Sequence, residues 1–341
     1  MKKTALITGV SGQDGAYLAN FLLNKNYKVI GTDRRSARSN FWRFKRLGIE
    51  NKINYEEMEI TENCEIDRLF KKYKNVSEVY NLAAQSFVAT SFNSPIYTSN
   101  VTALGPLRIL EAIRNYNPKI KFYQASSSEM YGNITEKLQN EKTQFNPRSP
   151  YAVSKVFAYY ITKNYRESYN MFALSGILFN HESPLRGEEF VTRKITLGLT
   201  KIINNDLDCL ELGNINAKRD WGHAKDYVAL MWKMLQQKNP EDYVVATGEN
   251  NSIKDFVNEC LKNLDIKAKW VGKGIKTKLI NLKNNKVIIK ISPKFFRPAE
   301  VDILHGDSSN AKKKLNWTPK VNFKKLVKLM IDDEIKYYRN S

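Results

Sequence analysis

The sequence predicts an α/β fold built on a doubly wound parallel sheet, and three observations carry that prediction. Short apolar, β-rich runs alternate with segments of helical period from residue 4 to about residue 180. The first run leads directly into three spaced glycines and then a helix. Beyond residue 180 the alternation gives way to loops, short strands and a basic helix, as expected of a second, smaller unit.

Taken in order, Thr4 to Thr8 is the first strand. Gly9, Gly12 and Gly15 follow, and Ala16 to Asn24 continues at helical period. Strand, glycine turn and helix form the context of a dinucleotide fingerprint. The glycines serve a tight turn, a close backbone approach to pyrophosphate and close helix–strand packing. The helix N-terminus offers amides and the positive end of its dipole to phosphate. Tyr27 to Thr32 is the second strand, with Asp33, Arg34, Arg35 and Ser36 at its end. An acidic residue there takes the ribose hydroxyls of NAD, whereas arginine accommodates the 2′-phosphate of NADP. The adjacent guanidinium pair favours NADP, since its fork matches phosphate geometry; Asp33 keeps NAD open. Arg38, Arg43 and Lys45 read as a solvated charge run.

Lys52 to Ile60 is the third strand, and Ile66 to Tyr73 a helix. Ser77 to Ala84 is the fourth strand, with Gln85 and Ser86 at its mouth. Ile96 to Asn117 is one long helix ending before Pro118. Ile120 to Ala125 is the fifth strand, Tyr151 to Tyr169 a helix, and Phe172 to Phe179 the sixth strand. Ligands of open α/β sheets gather at the carboxyl ends of such strands. Helices are expected over 192–204, 221–237, 252–264 and 323–338. The domains are therefore 1–180, with part of 215–245 returning to it, and 181–341.

The chain has 341 residues and is 42% hydrophobic and 26% charged, a globular composition. No apolar run approaches the roughly 18 residues of a membrane helix. The basic N-terminus lacks a signal-peptide core, so a cytoplasmic location is expected. Three cysteines without C-x-x-C spacing and three histidines give no disulfide framework and no metal site. The net charge of +20 comes from 55 Lys+Arg against 35 Asp+Glu. The basic residues are scattered and accompany no nucleic-acid signature. A phosphorylated small substrate accounts for the charge, and neither nucleic acid nor membrane is an expected partner.

Ser127, Glu129, Tyr151 and Lys155 bring a hydroxyl, a carboxylate, a phenol and an amine to one region. Tyr151 and Lys155, four apart on a helix, share a face. An ammonium beside a phenol lowers the phenol pKa, which suits Tyr151 to act as a general base. Ser127 can bond the same substrate hydroxyl. These three specify an alcohol–ketone oxidoreductase. Glu129 adds the means to remove an acidic C–H proton beside a newly formed ketone, and so separates dehydration from plain oxidation.

The runs Gly9-x-x-Gly12-Gln-Asp-Gly15, Tyr80 to Ser86, Phe122 to Ser126, Ser128 to Gly132, Pro147 to Tyr151, Gly176 to Pro184, Phe190 to Lys194, Ala217 to Tyr227 and Arg297 to Asp302 closely resemble GDP-mannose 4,6-dehydratases, of the extended short-chain dehydrogenases. The resemblance implies conversion of GDP-mannose to GDP-4-keto-6-deoxymannose through bound NADP, in a homotetramer that is a dimer of dimers. It implies catalysis by Ser127, Glu129, Tyr151 and Lys155. It implies cofactor contacts from Gly9, Gly12, Gln13, Asp14, Gly15, Arg34, Arg35, Ser36, Glu59, Ile60, Leu82, Ala83, Ala84, Gln85, Ser86, Tyr97, Lys155, His181 and Arg186. Ser86, Ser127, Asn180, Val191, Lys194, Arg219, Arg297 and Glu300 are implied to bind the GDP-sugar. The family usually has threonine at Ser127 and Gly-Asp-Leu at Met58-Glu59-Ile60. Such departures bear on the sugar more than on the reaction. They leave a GDP-D-glycero-manno-heptose 4,6-dehydratase as an alternative, beside a GDP-sugar 4-ketoreductase or 4-epimerase on the same scaffold and a cofactor-binding regulator without turnover.

Overall fold

The computed structural model describes residues 2–37, 40–134, 136–296, 299, 301 and 303–338. The first half runs β1 (Thr4–Thr8), α1 (Gln13–Asn24), β2 (Lys28–Asp33), α2 (Trp42–Leu47), β3 (Asn54–Glu57), α3 (Asn63–Lys72), β4 (Val76–Asn81), α4 (Val88–Asn93), α5 (Pro95–Ser99), α6 (Gly105–Tyr116), β5 (Lys121–Ser127), α7 (Pro150–Ser168) and β6 (Ala173–Leu178). The second half runs β7 (Asn180–Glu182), α8 (Val191–Ile203), β8 (Leu210–Leu212), β9 (Lys218–Arg219), β10 (Trp221–His223), α9 (Ala224–Leu235), β11 (Tyr243–Val245), β12 (Asn251–Ser252), α10 (Ile253–Asn263), β13 (Ala268–Val271), β14 (Lys278–Asn281), β15 (Val287–Ile291), α11 (Ser309–Leu315) and α12 (Phe323–Tyr338).

Seven strands pair in parallel in the order β11-β6-β5-β4-β1-β2-β3. Their apolar residues are buried on both faces, as a doubly wound sheet requires. The strand order reverses between β1 and β4, which opens a crevice at their carboxyl ends. Thr8 locks those two ends together. Its hydroxyl donates to Asn81 Oδ1 at 2.6 Å and accepts from the Ala83 amide at 3.2 Å.

The second half divides its residues between two cores. α9 and β11 return to the first, where Val228, Met231 and Leu235 share a cluster with Leu18 and Leu22 of α1. β8, β13, β14 and β15 form a separate four-stranded sheet. That sheet is backed by α8, α10 and α12 around Leu199, Phe256, Leu279, Ile289 and Met330. α10 starts at a complete capping box between Ser252 and Asp255.

Three element expectations change. The third strand shortens to Asn54–Glu57, and Ile60 beyond it is core, packed where a Cβ on Gly105 would stand. The long helix over 96–117 contains a π-helical turn at Asn100–Leu104. Pro106 lacks the N–H that would continue the ladder, and Arg108 instead reaches the Asn100 carbonyl at 3.2 Å and its side-chain oxygen at 2.8 Å. The helix expected from Trp221 begins only at Ala224. Trp221–His223 extends alongside Asn180–Glu182, and His223 Nδ1 caps α9 by accepting from the Lys225 amide at 3.0 Å.

Candidate active site

A cleft of about 890 Å³ lies along the carboxyl edge of the main sheet, between it and the second core. The glycine turn forms one end. Gly9 adopts a left-handed φ of +69°, and a Cβ there would stand 2.9 Å from the Ala83 amide nitrogen. A Cβ on Gly15 would be 2.4 Å from the Gly9 carbonyl oxygen, so this glycine lets α1 seat on the turn. Gly12 is different. A Cβ there would meet only the Gly9 carbonyl, at 3.2 Å, and Gly12 lines the cleft. No side chain caps the first amides of α1. A bare helix N-terminus behind a glycine whose missing side chain opens onto the cleft fits a phosphate-bearing dinucleotide.

At the end of β2 the Asp33 carboxylate accepts the Ser11 amide at 2.9 Å, and burial pushes its pKa up to about 6. Arg34 donates to the Tyr97 hydroxyl at 2.8 Å. Arg35 and Ser36 are exposed. Arg43 corrects the reading of a solvated charge run. It is buried, donating to the carbonyls of Leu185 at 2.7 Å and Ser11 at 3.0 Å, so it braces the glycine turn. Lys45 is exposed as expected, and Arg38 lies outside the described residues.

Leu82, Ala84 and Ser86 line the cleft, while Ala83 backs Gly9. Gln85 turns its side chain to the Phe87 carbonyl, 3.1 Å away, and to Thr98. The Glu59 amide donates to Glu65 Oε2 at 2.7 Å. Glu59, Ile60 and Tyr97 are not among the lining residues. Gln13, Asp14, His181 and Arg186 are. Gln13 bonds the His181 carbonyl at 3.1 Å and Ser183 at 2.7 Å. Arg186 lies 3.1 Å from Glu182 and 3.5 Å above the Phe190 ring.

The four reactive side chains converge at mid-cleft. Ser127 ends β5, and its Oγ accepts the Glu129 amide at 3.2 Å and lies close enough to the Tyr151 phenol to draw its pKa down against burial. Tyr151 opens α7, behind Pro150 in the first turn and the Ser149 cap, whose Oγ accepts the Ala152 amide at 3.1 Å. Lys155, one turn on, donates to the Ala125 carbonyl at 2.6 Å, with its nitrogen 5.8 Å from the Tyr151 ring centre. Glu129 is 9% exposed and faces the same space.

The expected lowering of the phenol pKa does not hold in the chain alone. Burial pushes Tyr151 up to about 12, and the Glu129 carboxylate pushes the same way. The Lys155 ammonium is spent on the Ala125 carbonyl, and burial draws its own pKa down to about 8. Desolvation therefore outweighs the pairing that the four-residue spacing suggests.

At the far end stand Asn180, Val191, Lys194 and Arg219. The Lys194 nitrogen lies 3.2 Å from the Phe295 ring centre, and burial lowers its pKa. Arg219 is buried. Arg297 and Glu300 lie outside the described residues. The sequence reading missed the apolar lining supplied by Phe87, Phe92, Phe190, Phe295 and Phe296. Phe87 and Phe190 meet edge to face at 5.7 Å. These aromatics sit in loops and at helix ends, where no periodicity flags them. Among the described residues no group of three or more His, Cys, Asp or Glu is placed to hold a metal ion, and no helix is long and apolar enough to cross a membrane.

The model of the GDP-mannose 4,6 dehydratase family matches residues 6–330. The chain belongs to that family. A GDP-mannose 4,6 dehydratase of Drosophila melanogaster is 49% identical, over 99% of this chain and 88% of that protein. One from Vibrio cholerae is 48% identical, over 98% and 95%. Among solved structures, dTDP-glucose 4,6-dehydratase from Bacillus anthracis, in complex with NAD, superposes with a TM-score of 0.81 at 20% identity, covering 99% of this chain and 98% of that one. That likeness speaks to the fold, and the family's fold is the doubly wound sheet described above.

Proposed function

We propose that the protein is a GDP-mannose 4,6-dehydratase, converting GDP-mannose to GDP-4-keto-6-deoxymannose with loss of water. One observation carries the reading. Ser127, Glu129, Tyr151 and Lys155 line one cleft that starts at a dinucleotide-type glycine turn, with the Ser127 hydroxyl accepting the Glu129 amide. The family's GDP-mannose relatives support mannose over the heptose alternative. The buried Glu129 favours dehydration over ketoreduction or 4-epimerisation, which need no C5 proton transfer.

The glycine turn, Leu82 to Ser86, Lys155, His181 and Arg186 would hold a nicotinamide dinucleotide. Arg34, Arg35 and Ser36 select NADP. A nicotinamide held there would supply the transfer of hydride from C4 and its return to C6, which would leave the reaction redox-neutral. Tyr151 takes the proton of the sugar O4, with Ser127 holding that oxygen in place. The new C4 ketone acidifies the C5 hydrogen, which Glu129 removes. Glu129 then passes that proton to O6, which leaves as water as the C5–C6 double bond forms. Tyr151 returns its proton to C5. Burial raises the phenol pKa, so its turn as a base at O4 draws on cationic surroundings in the loaded cleft. Lys194 and Arg219 meet the diphosphate as cations, and Arg297 and Glu300 complete the guanine end. Residues 1–180 with the returning 215–245 segment form the cofactor domain, and the rest of 181–341 mainly the GDP-sugar domain. The working assembly is a homotetramer in the cytoplasm.

The test is incubation with GDP-mannose and, in parallel, GDP-D-glycero-manno-heptose, followed by mass spectrometry. Loss of one water from GDP-mannose is expected. Loss from neither sugar overturns the dehydratase reading, and preferential loss from the heptose overturns the substrate.

A further inference from the structure

Asp14 and His181 make a contact that the proposed chemistry leaves unused. Asp14 lies in the first turn of α1, and its Oδ2 is 2.7 Å from His181 Nε2. On the other side of the ring, His181 Nδ1 is 2.7 Å from the Phe179 carbonyl oxygen. A carbonyl can only accept, so Nδ1 carries a hydrogen. An ionised carboxylate can only accept, so Nε2 carries one too. An imidazole with hydrogens on both nitrogens is an imidazolium.

The surroundings decide that the proton stays on the ring. Asp14 Oδ1 accepts from the Gln13 amide nitrogen at 3.1 Å, and the positive end of the α1 dipole favours the carboxylate. Arg186 adds a second cation on the carboxylate side. The His181 ring stacks on Tyr227 at 4.5 Å and 25°, an aromatic face that favours a cation. Burial and the Arg186 charge oppose protonation of His181, and the Asp14 carboxylate outweighs them. His223, from the end of β10, also feels the His181 charge. Lys155, on α7, is held up against burial by the Asp14 carboxylate.

We infer that Asp14 is a positioning residue: it holds His181 as a buried imidazolium and thereby clamps the start of α1 to the segment after β6. The Gln13–His181 and Gln13–Ser183 bonds are the neutral strands of the same clamp. The fixed cation sits on the cleft wall beside the glycine turn, where an anionic ligand is drawn. The same carboxylate partly offsets the burial that lowers the Lys155 pKa beside Tyr151. Only these last two consequences rest on the proposed function; the charge state of His181 does not.

The chain has three histidines, so ring signals are assignable in the full-length protein with His223→Asn and His305→Asn variants. Long-range ¹⁵N–¹H ring correlations are recorded without added nucleotide at pH 7, where a free imidazole is mostly neutral. His181 is expected to show both nitrogens protonated in the wild type and a neutral tautomer in Asp14→Asn. With nucleotide and sugar present, Asp14→Asn is expected to move the alkaline limb of turnover to lower pH. A neutral His181 in the wild type overturns the inference, even if the variant does not fold. A His181 still doubly protonated in Asp14→Asn overturns it too. Failure of GDP-mannose to lose water leaves the ring measurement standing and is separately visible.

Discussion

Gly12 and Gly15 are three residues apart in one turn, and the structure separates what each is for. Alanine at Gly15 places a methyl 2.4 Å from the Gly9 carbonyl oxygen and 2.6 Å from both the Val10 Cα and the Val10 carbonyl oxygen. All three are backbone atoms, so no side chain can swing away. Reaching an ordinary contact near 3.4 Å needs a relative shift of about 1 Å in a close-packed region. Overpacking of this kind costs about 1–3 kcal/mol, against which a Gly→Ala change inside a helix returns at most about 1 kcal/mol. Gly15→Ala should therefore lower the melting temperature by several degrees. Alanine at Gly12 meets only one atom, at 3.2 Å, so the free protein should melt within about 1 °C of wild type. Its methyl instead projects into the cleft where phosphate would meet the α1 amides. Losing one charge-assisted bond of about 1.5–3 kcal/mol predicts NADPH binding weaker by roughly ten- to a hundredfold. Calorimetric melting and NADPH fluorescence titration measure the two effects separately. Unchanged NADPH affinity in Gly12→Ala refutes the assignment of the turn as the phosphate cradle. Equal loss of stability in both variants refutes the division of roles.

Glu129→Gln should cut dehydration of GDP-mannose by about 10²–10⁴-fold while the amide keeps the side-chain volume; a normal rate of water loss, followed by mass spectrometry, would remove Glu129 from the mechanism. Arg35→Ala should weaken NADP binding by about tenfold or more and leave NAD little changed, because only NADP carries the phosphate that a guanidinium matches; an unchanged affinity ratio in paired titrations contradicts NADP selection by Arg35. His223 sets an acid limit on stability. Burial, with the nearby Lys225 charge second, lowers its pKa to about 4, below the unfolded value near 6.5. The unfolded chain thus binds more protons between those values, and stability is lost as pH falls from about 6.5 towards 4, by about 2–3 kcal/mol for this group. His223→Asn keeps a side-chain oxygen for the α9 cap and should flatten that limb in denaturant titrations at stepped pH; parallel limbs in the two proteins would show that His223 does not set it.

What could be read along the chain was what depends on near neighbours. The alternation of β-rich and helical-period runs placed six of the seven parallel strands, since burial on both faces leaves continuous apolar runs such as Val29-Ile30 and Ile177-Leu178. The glycine turn announced itself because its strand, glycines and helix are contiguous. Tyr151 and Lys155 announced themselves through helical spacing. What depends on distant partners was not legible. Arg43 looked like one of a run of surface cations, yet its acceptor on Leu185 lies 142 residues away. Trp221–His223 looked helical because its apolar pattern continues into α9, and the segment that pairs with it, Asn180–Glu182, is remote in sequence. β11 is too short to stand out, and becomes a strand only beside β6.

The chemistry of Tyr151 shows the same division inside the site. Spacing alone sets Lys155 beside it and argues for an easily ionised phenol. Spacing does not say that α7 buries both groups, or that the ammonium finds the Ala125 carbonyl at 2.6 Å. Once desolvated, the phenol gains more from keeping its proton than a cation 5.8 Å from its ring can offset. A phenol that burial keeps protonated is silent until its surroundings in the cleft change. Ser127 fits that logic. Its oxygen accepts the Glu129 amide at 3.2 Å, which restrains its rotamer from the backbone side. That backbone bond supplies part of the restraint on χ1 that threonine's branched Cβ would add.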